Sequence, residues 1–378
     1  MAETPDTDPA VPDEMAIILR KEGTIAWEKT TPELASSLNG KLTLAFLGSA
    51  SSGKDSAIKA IFGLDFGEIS PIPGSTSTLK VVPLDAAEQV LLVNAPGFGD
   101  VRAEVDQVAR RVLDDLDVVV YVVNCEGGAT IDERRDLEAI RARQRPVLVC
   151  LNKIDLIRVK EREAFVVATL EQLGVKREDA VVAAFDPLPQ LSPEPIGVQE
   201  VTAWIYNQLA VSGKQLLFAK QLRNKSQACE PIIQAAAKRA SVAGAIPIPG
   251  ADLAIVTAIQ VKLIRDIALI HGAEIDKDVA LFIIGELLSG GMRSFVRWGA
   301  NALKAAGWIP GTQLVEAAIL GIGAMVAGAT TFGVGRAAIQ YFQSDRKIDS
   351  VALRLAFDAA AWDYKRRQEV STGQVLSG

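Results

Sequence analysis

Leu42-Thr-Leu-Ala-Phe-Leu-Gly48-Ser-Ala-Ser-Ser-Gly53-Lys54-Asp-Ser-Ala-Ile-Lys-Ala-Ile-Phe62 decides the fold of the front half of the chain. An apolar run predicts a buried strand, and Ala57–Phe62 predicts a helix. Between them stands Gly-x4-Gly-Lys, the spacing of a phosphate-binding loop. That triplet alone recurs by chance in about one chain in ten of this length. Placed between a buried strand and a helix, it becomes specific. Glycines let the backbone wrap phosphates, amide groups point inward, and Lys54 neutralises the β- and γ-phosphates. Gly48, Ser49, Ser51, Ser52, Gly53, Lys54, Asp55 and Ser56 are therefore the candidate phosphate-side residues.

Outward from this loop the pattern repeats strand then helix. The strand-like runs are 42–48, 79–84, 90–96, 117–125, 146–152 and 180–186, and helical stretches such as 103–116, 131–143 and 161–173 lie between them. Val/Leu runs without polar alternation indicate strands covered on both faces. The expectation is a doubly wound, mostly parallel α/β domain over residues 41–212. Before it, residues 15–40 read as a helical segment broken near Thr30–Pro32. Residues 1–14, acidic and proline-rich, read as a disordered tail without the marks of a secretion signal.

Three more elements stand in order. Asn152-Lys153-Ile154-Asp155 closes the fifth strand, Pro73-Gly-Ser-Thr76 precedes the second, and Asn94-Ala-Pro-Gly97 ends the third. A carboxylate at Asp155 can accept from the two ring donors of guanine, a pair that adenine lacks. The set resembles the motifs of Ras-like and Era-like GTPases, P-loop NTPases of the TRAFAC class. That resemblance implies GTP/GDP and Mg²⁺ as ligands, with Asn152, Lys153 and Asp155 at the base. It makes Thr76 (Thr78 the runner-up) a magnesium ligand and places the Gly97 amide on the γ-phosphate. With Lys54, these two form the implied catalytic set.

The chain departs from the pattern in two places. Asp55 stands where the family has a magnesium-ligating Ser or Thr, and Asn94 stands where it has Asp. In one reading this is a compensating swap, with Asp55, Thr76 and Asn94 around the metal. In the other, Asp55 repels the phosphates and Ser56 is the surviving hydroxyl. Phe98 replaces a water-orienting Gln, and Ala50-Ser51 replaces the Gln-Ser pair of dynamin-like proteins. Phosphoryl transfer needs water positioning and charge neutralisation. The expectation is slow intrinsic hydrolysis, helped by a second copy or a partner, with Arg102 a candidate. The rival expectation is a non-hydrolysing GTP-binding module.

After Ser212 the strands stop, and residues 213–369 read as Ala/Gly-rich helices, with a flexible tail over 370–378. Ile246–Gly250 and Trp308–Gly311 are similar turns, each ahead of an apolar helix. Ala317–Gly335 holds 19 residues without a charge, the minimum for a bilayer span, yet its glycines equally suit two packed helices in a bundle. Asp252, Lys262, Arg265 and Asp266 make the preceding apolar stretch amphipathic. This half resembles the YcjF-type helical domain that follows Era-like domains, and the layout is similar to that of immunity-related GTPases. The resemblance implies membrane linkage or self-assembly through homodimers or oligomers.

The net charge of -6 conceals a balance of -12 for residues 1–212 and +6 for the remainder. A basic, apolar-rich second half suits an anionic membrane surface or the acidic first half. Cys125, Cys150 and Cys229 lack metal-ligand spacing and predict reduced, buried thiols in a cytoplasmic protein; the resemblance and the basic second half imply a peripheral place at the inner face of the membrane. The single His271 excludes histidine-based dyads. Trp298, Trp308 and Trp362 read as core packing, and no basic, aromatic-interleaved platform for nucleic acid is present.

Overall fold

A computed structural model describes residues 13–65, 80–95, 115–245, 251–287, 301 and 312–375. Contacts divide the chain into two compact units, Ala35–Ala228 and Met1–Leu34 with Cys229–Gly378.

In the first unit the described strands are β1 Leu42–Leu47, β2 Lys80–Pro83, β3 Val90–Asn94, β4 Val118–Asn124, β5 Val147–Asn152 and β6 Ala180–Val182. They form one sheet in the order β2-β3-β1-β4-β5-β6. Only β2 runs antiparallel, on an edge; the other pairings are parallel. Alternate residues of the central strands enter opposite cores, which is why their sequences read as unbroken apolar runs. Ala45, Val119, Tyr121, Val123 and Val149 pack with Leu137, Ile140, Val166 and Leu170. On the other face Phe46 meets Phe62 edge-on at 6.0 Å, and Phe62 meets Phe218 at 6.1 Å.

Helices α2 Lys54–Phe62, α3 Ile131–Arg141, α4 Arg162–Leu173, α5 Val198–Ala210 and α6 Gln215–Gln221 belong to this unit. Because Phe218 joins that aromatic stack and Arg223 N donates to Ile61 O, the unit runs on to Ala228, past the expected boundary at 212. The expected helix at 103–116 lies largely outside the described residues. The register pairs Phe46 with Asn94 and Asn124 with Asn152, so β1, β3, β4 and β5 end along one edge. Here β1 sits between β3 and β4, and such a reversal in strand order opens a crevice at the carboxyl ends.

The second unit is helical: the N-terminal part of α1 Asp13–Leu38, most of α7 Lys225–Gly244, α8 Ala251–Ile270, α9 Lys277–Glu286, α10 Thr312–Gln343 and α11 Ser350–Val375. The expected break near Thr30–Pro32 does not occur: α1 is continuous, with Pro32 inside it. Pro32 cannot donate to the carbonyl one turn back, and other donors crowd that turn. Thr30 Oγ1 donates to Ala26 O at 2.9 Å and Thr31 Oγ1 to Trp27 O at 2.7 Å. The Arg265 guanidinium lies 4.0 Å over the Trp27 ring and donates to Trp27 O, Thr30 Oγ1 and Thr31 Oγ1.

Ala317–Gly335 is part of one helix, α10, not two joined by a turn. Its glycines let neighbouring helices approach. A Cβ at Gly333 would lie 2.8 Å from Phe357 Cδ2, and one at Gly335 would lie 2.7 Å from Ile233 Cγ1. Leu320–Gln343 is long and apolar enough to cross a membrane, but 67% of its apolar window is buried within the protein. Two residues expected on a polar face of α8 are also inside. Arg265 and Asp266 are buried, and Lys262 Nζ meets both Asp266 oxygens at 3.0 and 3.2 Å. Burial raises the Asp266 pKa, against the lowering effect of Lys262 and of Arg239 and Arg265. His271 stacks on Phe342 just past the end of α8. The turns at 246–250 and 308–311 and Trp298 lie outside the described residues. All three cysteines are buried, and none is in a disulfide.

Candidate functional site

The loop between β1 and α2 has a backbone that side chains rarely adopt. Gly48 has φ 144, Ser51 φ 60 and Gly53 φ 94. A Cβ at Gly48 would strike Val122 O, and one at Gly53 would strike Asn152 Nδ2. Glycine is required at both positions by space as well as by dihedral. Gly53 caps α2 without a side-chain bond, leaving the first amides of the helix as donors for an anion.

Lys54 is buried at 4% exposure, and its Nζ donates to Gly48 O and Ser49 O, both at 2.9 Å. Among the described residues no carboxylate is ion-paired with it. Desolvation lowers its pKa to about 8, with nearby Asp55 pulling the other way. A buried ammonium held only by carbonyl dipoles is incompletely compensated, and phosphate oxygens would complete it. Ser52 Oγ is buried in the same loop without a hydrogen-bond partner among the described residues. Ser56 lies half-buried in the first turn of α2.

The two sequence departures meet in space. Asn94 Nδ2, at the end of β3, donates to Asp55 Oδ1 at 2.5 Å. Two carboxylates at this separation could not both ionise, so the amide at 94 is what permits a carboxylate at 55. Asn94 Oδ1 is buried and unpartnered among the described residues. These hard oxygens beside the Lys54 loop fit a magnesium ion, although the described residues hold no cluster of three His, Cys, Asp or Glu suited to a metal. Thr76, its runner-up Thr78, Gly97, Phe98 and Arg102 lie outside the described residues.

Asn152 joins both sides of the crevice. Its Nδ2 donates to Ser52 O at 2.8 Å, and its Oδ1 accepts from Phe185 N at 3.1 Å. Lys153 follows with φ 65 and donates to Glu126 Oε2 at 2.7 Å. Asp155 is buried in the turn Ile154–Leu156, where its Oδ2 accepts from Leu188 N at 3.3 Å. Its charge adds to burial in pushing the Cys125 thiol up to about 12. The structure thus brings together Gly48–Ser56, Asn94, Asn152, Lys153 and Asp155.

Sequence reasoning missed several supporting residues. Glu133, buried, accepts from Ser49 Oγ at 3.0 Å while closing a capping box with Thr130 on α3. The Thr-x-x-Glu spacing signals the cap, but its contact with a loop 84 residues away carries no local mark. Glu126 and the Phe185 and Leu188 amides were likewise missed. Asn124 Oδ1 accepts from Glu126 N at 3.0 Å, an Asx turn that only the Asn-Cys-Glu spacing hints at.

Comparison with known proteins agrees with this geometry. Residues 43–153 match the family model described as 50S ribosome-binding GTPase, and residues 213–356 match a domain of unknown function, DUF697. The GTPase Era of Borrelia turicatae is 24% identical over 171 residues, 44% of this chain and 56% of that protein. The GTPase Era of Thermoanaerobacter sp. is 26% identical over 145 residues, 37% of this chain and 48% of its own. The chain spans about half the length of these curated relatives. Among solved structures, one described as an oligomerised bacterial dynamin pair overlaps 97% of this chain and 73% of its own, at 13% identity and a TM-score of 0.38. An Aquifex aeolicus Era bound to GDP.AlF4- overlaps 45% of this chain and 66% of its own, at 19% identity and a TM-score of 0.29. Residues 43–153 thus match a GTPase model and are similar to the GTPase Era, and residues 213–356 match DUF697.

Proposed function

We propose that this GTPase domain binds GTP and GDP with Mg²⁺ around the Gly48–Ser56 loop and hydrolyses GTP slowly, as a nucleotide-dependent switch. The observation that carries this reading is Lys54: a buried ammonium, bonded among the described residues only to loop carbonyls, at the mouth of a helix N-terminus. Asp155 selects guanine through its carboxylate, held by the Leu188 amide. Lys54, Thr76 and Gly97 form the proposed catalytic set, and Asp55, Thr76 and Asn94 the proposed metal set. Bound Mg²⁺ would neutralise charge on the β- and γ-phosphoryl oxygens.

Turnover is slow in this reading because Phe98 and Ala50 stand where relatives of this type carry a glutamine. A second copy, paired through the GTPase domains, or another partner supplies the missing group. The helical domain then links the switch to self-assembly or to an anionic membrane surface, in a cytoplasmic protein peripheral at the inner face. The +6 balance of residues 213–378 supports the latter.

One observation favours a second reading, a GTP-binding module without hydrolysis: the Asp55 carboxylate is already engaged by Asn94. Nucleotide binding and phosphate release with GTP and ATP, at low and high protein concentration and with anionic liposomes, test both. Release that rises more than in proportion to concentration supports the assembling switch. Tight GTP binding with no release supports the module. Binding of ATP as tight as GTP would overturn the guanine assignment. Retention of the chain in the pellet after a carbonate wash would instead make it an integral membrane component.

A further inference from the structure

The base-side turn contains a potential conflict. Lys153 sits two residues before Asp155, tethered by a left-handed backbone at φ 65 and by the Asn152 side chain with its two hydrogen bonds. A free ammonium there would compete for the carboxylate that must accept from a base. The structure shows where the ammonium goes instead. Lys153 Nζ donates to Glu126 Oε2 at 2.7 Å, and among the described residues Asp155 has no ion-pair partner. Glu126 is itself placed by the Asx turn from Asn124, whose Nδ2 also faces the same carboxylate oxygen at 3.5 Å. Asn124 and Asn152 are register partners at the ends of β4 and β5, so this clasp is anchored on the sheet.

We propose that Glu126 is a positioning residue for base recognition: it sequesters the Lys153 ammonium and thereby leaves Asp155 free to accept from the base. The proposal rests on the guanine-nucleotide reading above. Its signature lies in discrimination between bases. Guanine offers Asp155 two donors and hypoxanthine one, so the ratio of GDP to IDP affinity reports how free that carboxylate is. Removing the negative charge at 126 releases Lys153 towards Asp155 and narrows the ratio. Keeping the charge on a shorter stem restores part of it.

The test uses the full chain with Mg²⁺. GDP and IDP dissociation constants are measured by calorimetry for the wild type, Glu126→Gln, Glu126→Asp, Lys153→Met and the double variant Glu126→Gln/Lys153→Met. The expected result is that Glu126→Gln weakens GDP by about fivefold and IDP by less. Glu126→Asp should lie between it and the wild type. In the double variant, the GDP-to-IDP ratio should return to that of Lys153→Met alone. Thermal melting without nucleotide should not move for Glu126→Gln, which separates positioning from folding. An unchanged ratio in Glu126→Gln, or tighter GDP binding, would overturn the proposal. If the wild type binds neither nucleotide, the guanine-nucleotide reading itself falls and takes this inference with it.

Discussion

Lys54 is the residue on which the site turns, and its environment gives a pH signature. Desolvation holds its pKa near 8 in the folded chain, against 10.5 for the ordinary side chain. The folded, nucleotide-free protein therefore binds fewer protons between those values, and this group adds stability as pH rises through that window. Nucleotide binding has the opposite sense, since phosphates need the ammonium. Affinity for GDP is expected to fall as pH rises above about 8, which calorimetry in buffers of different ionisation heat would reveal as proton uptake. Lys54→Met should abolish both the affinity and the proton uptake. Asp55→Asn is expected to make GDP affinity less dependent on Mg²⁺. Tighter binding at saturating Mg²⁺ would instead show that Asp55 repels phosphate.

At the level of elements, two helices depend on contacts that composition does not advertise. α10 fits between its neighbours because Gly328 and Gly333 let Tyr364 and Phe357 of α11 come close. Gly333→Val should clash with the Phe357 ring and cost about 1–3 kcal/mol, read as a lower urea midpoint. α1 passes through Pro32 with the Arg265 guanidinium bonded beside it. Arg265→Ala should destabilise the helical unit by about 2–3 kcal/mol, since it uncovers Trp27 and removes a charged donor. Circular dichroism during urea unfolding would show the loss, and a change within experimental error would mean that water replaces the guanidinium.

Two compact units, Ala35–Ala228 and Met1–Leu34 with Cys229–Gly378, make up the molecule. A ligand that binds only the folded GTPase domain stabilises it by about 2.7 kcal/mol at a hundredfold excess over its dissociation constant. Scanning calorimetry with GDP and Mg²⁺ is therefore expected to raise the melting of the Ala35–Ala228 unit. ATP at the same concentration should leave the trace unmoved. A shift of equal size with ATP would show that Asp155 does not select the base.

Much of the GTPase domain was legible because its signals are local. Gly48, Gly53 and Lys54 declare the loop through steric need, and the unbroken Val/Leu runs declare strands covered on both faces. Asn152 and Asp155 mark the proposed base side by donor and acceptor type. The missed features depend on residues distant in sequence. Pro32 reads as a helix breaker until Arg265, 233 positions later, contributes a donor beside it. Gly321–Gly335 reads equally as span, turn or packing surface until the partners of its glycines are known. The Asp55–Asn94 bond, the Glu133 support of Ser49 and the Glu126 clasp on Lys153 are likewise products of strand register. The sequence by itself determined which backbone conformations and local periods were available. Only the tertiary structure decided which charges meet, because a charge is assigned its partner by packing.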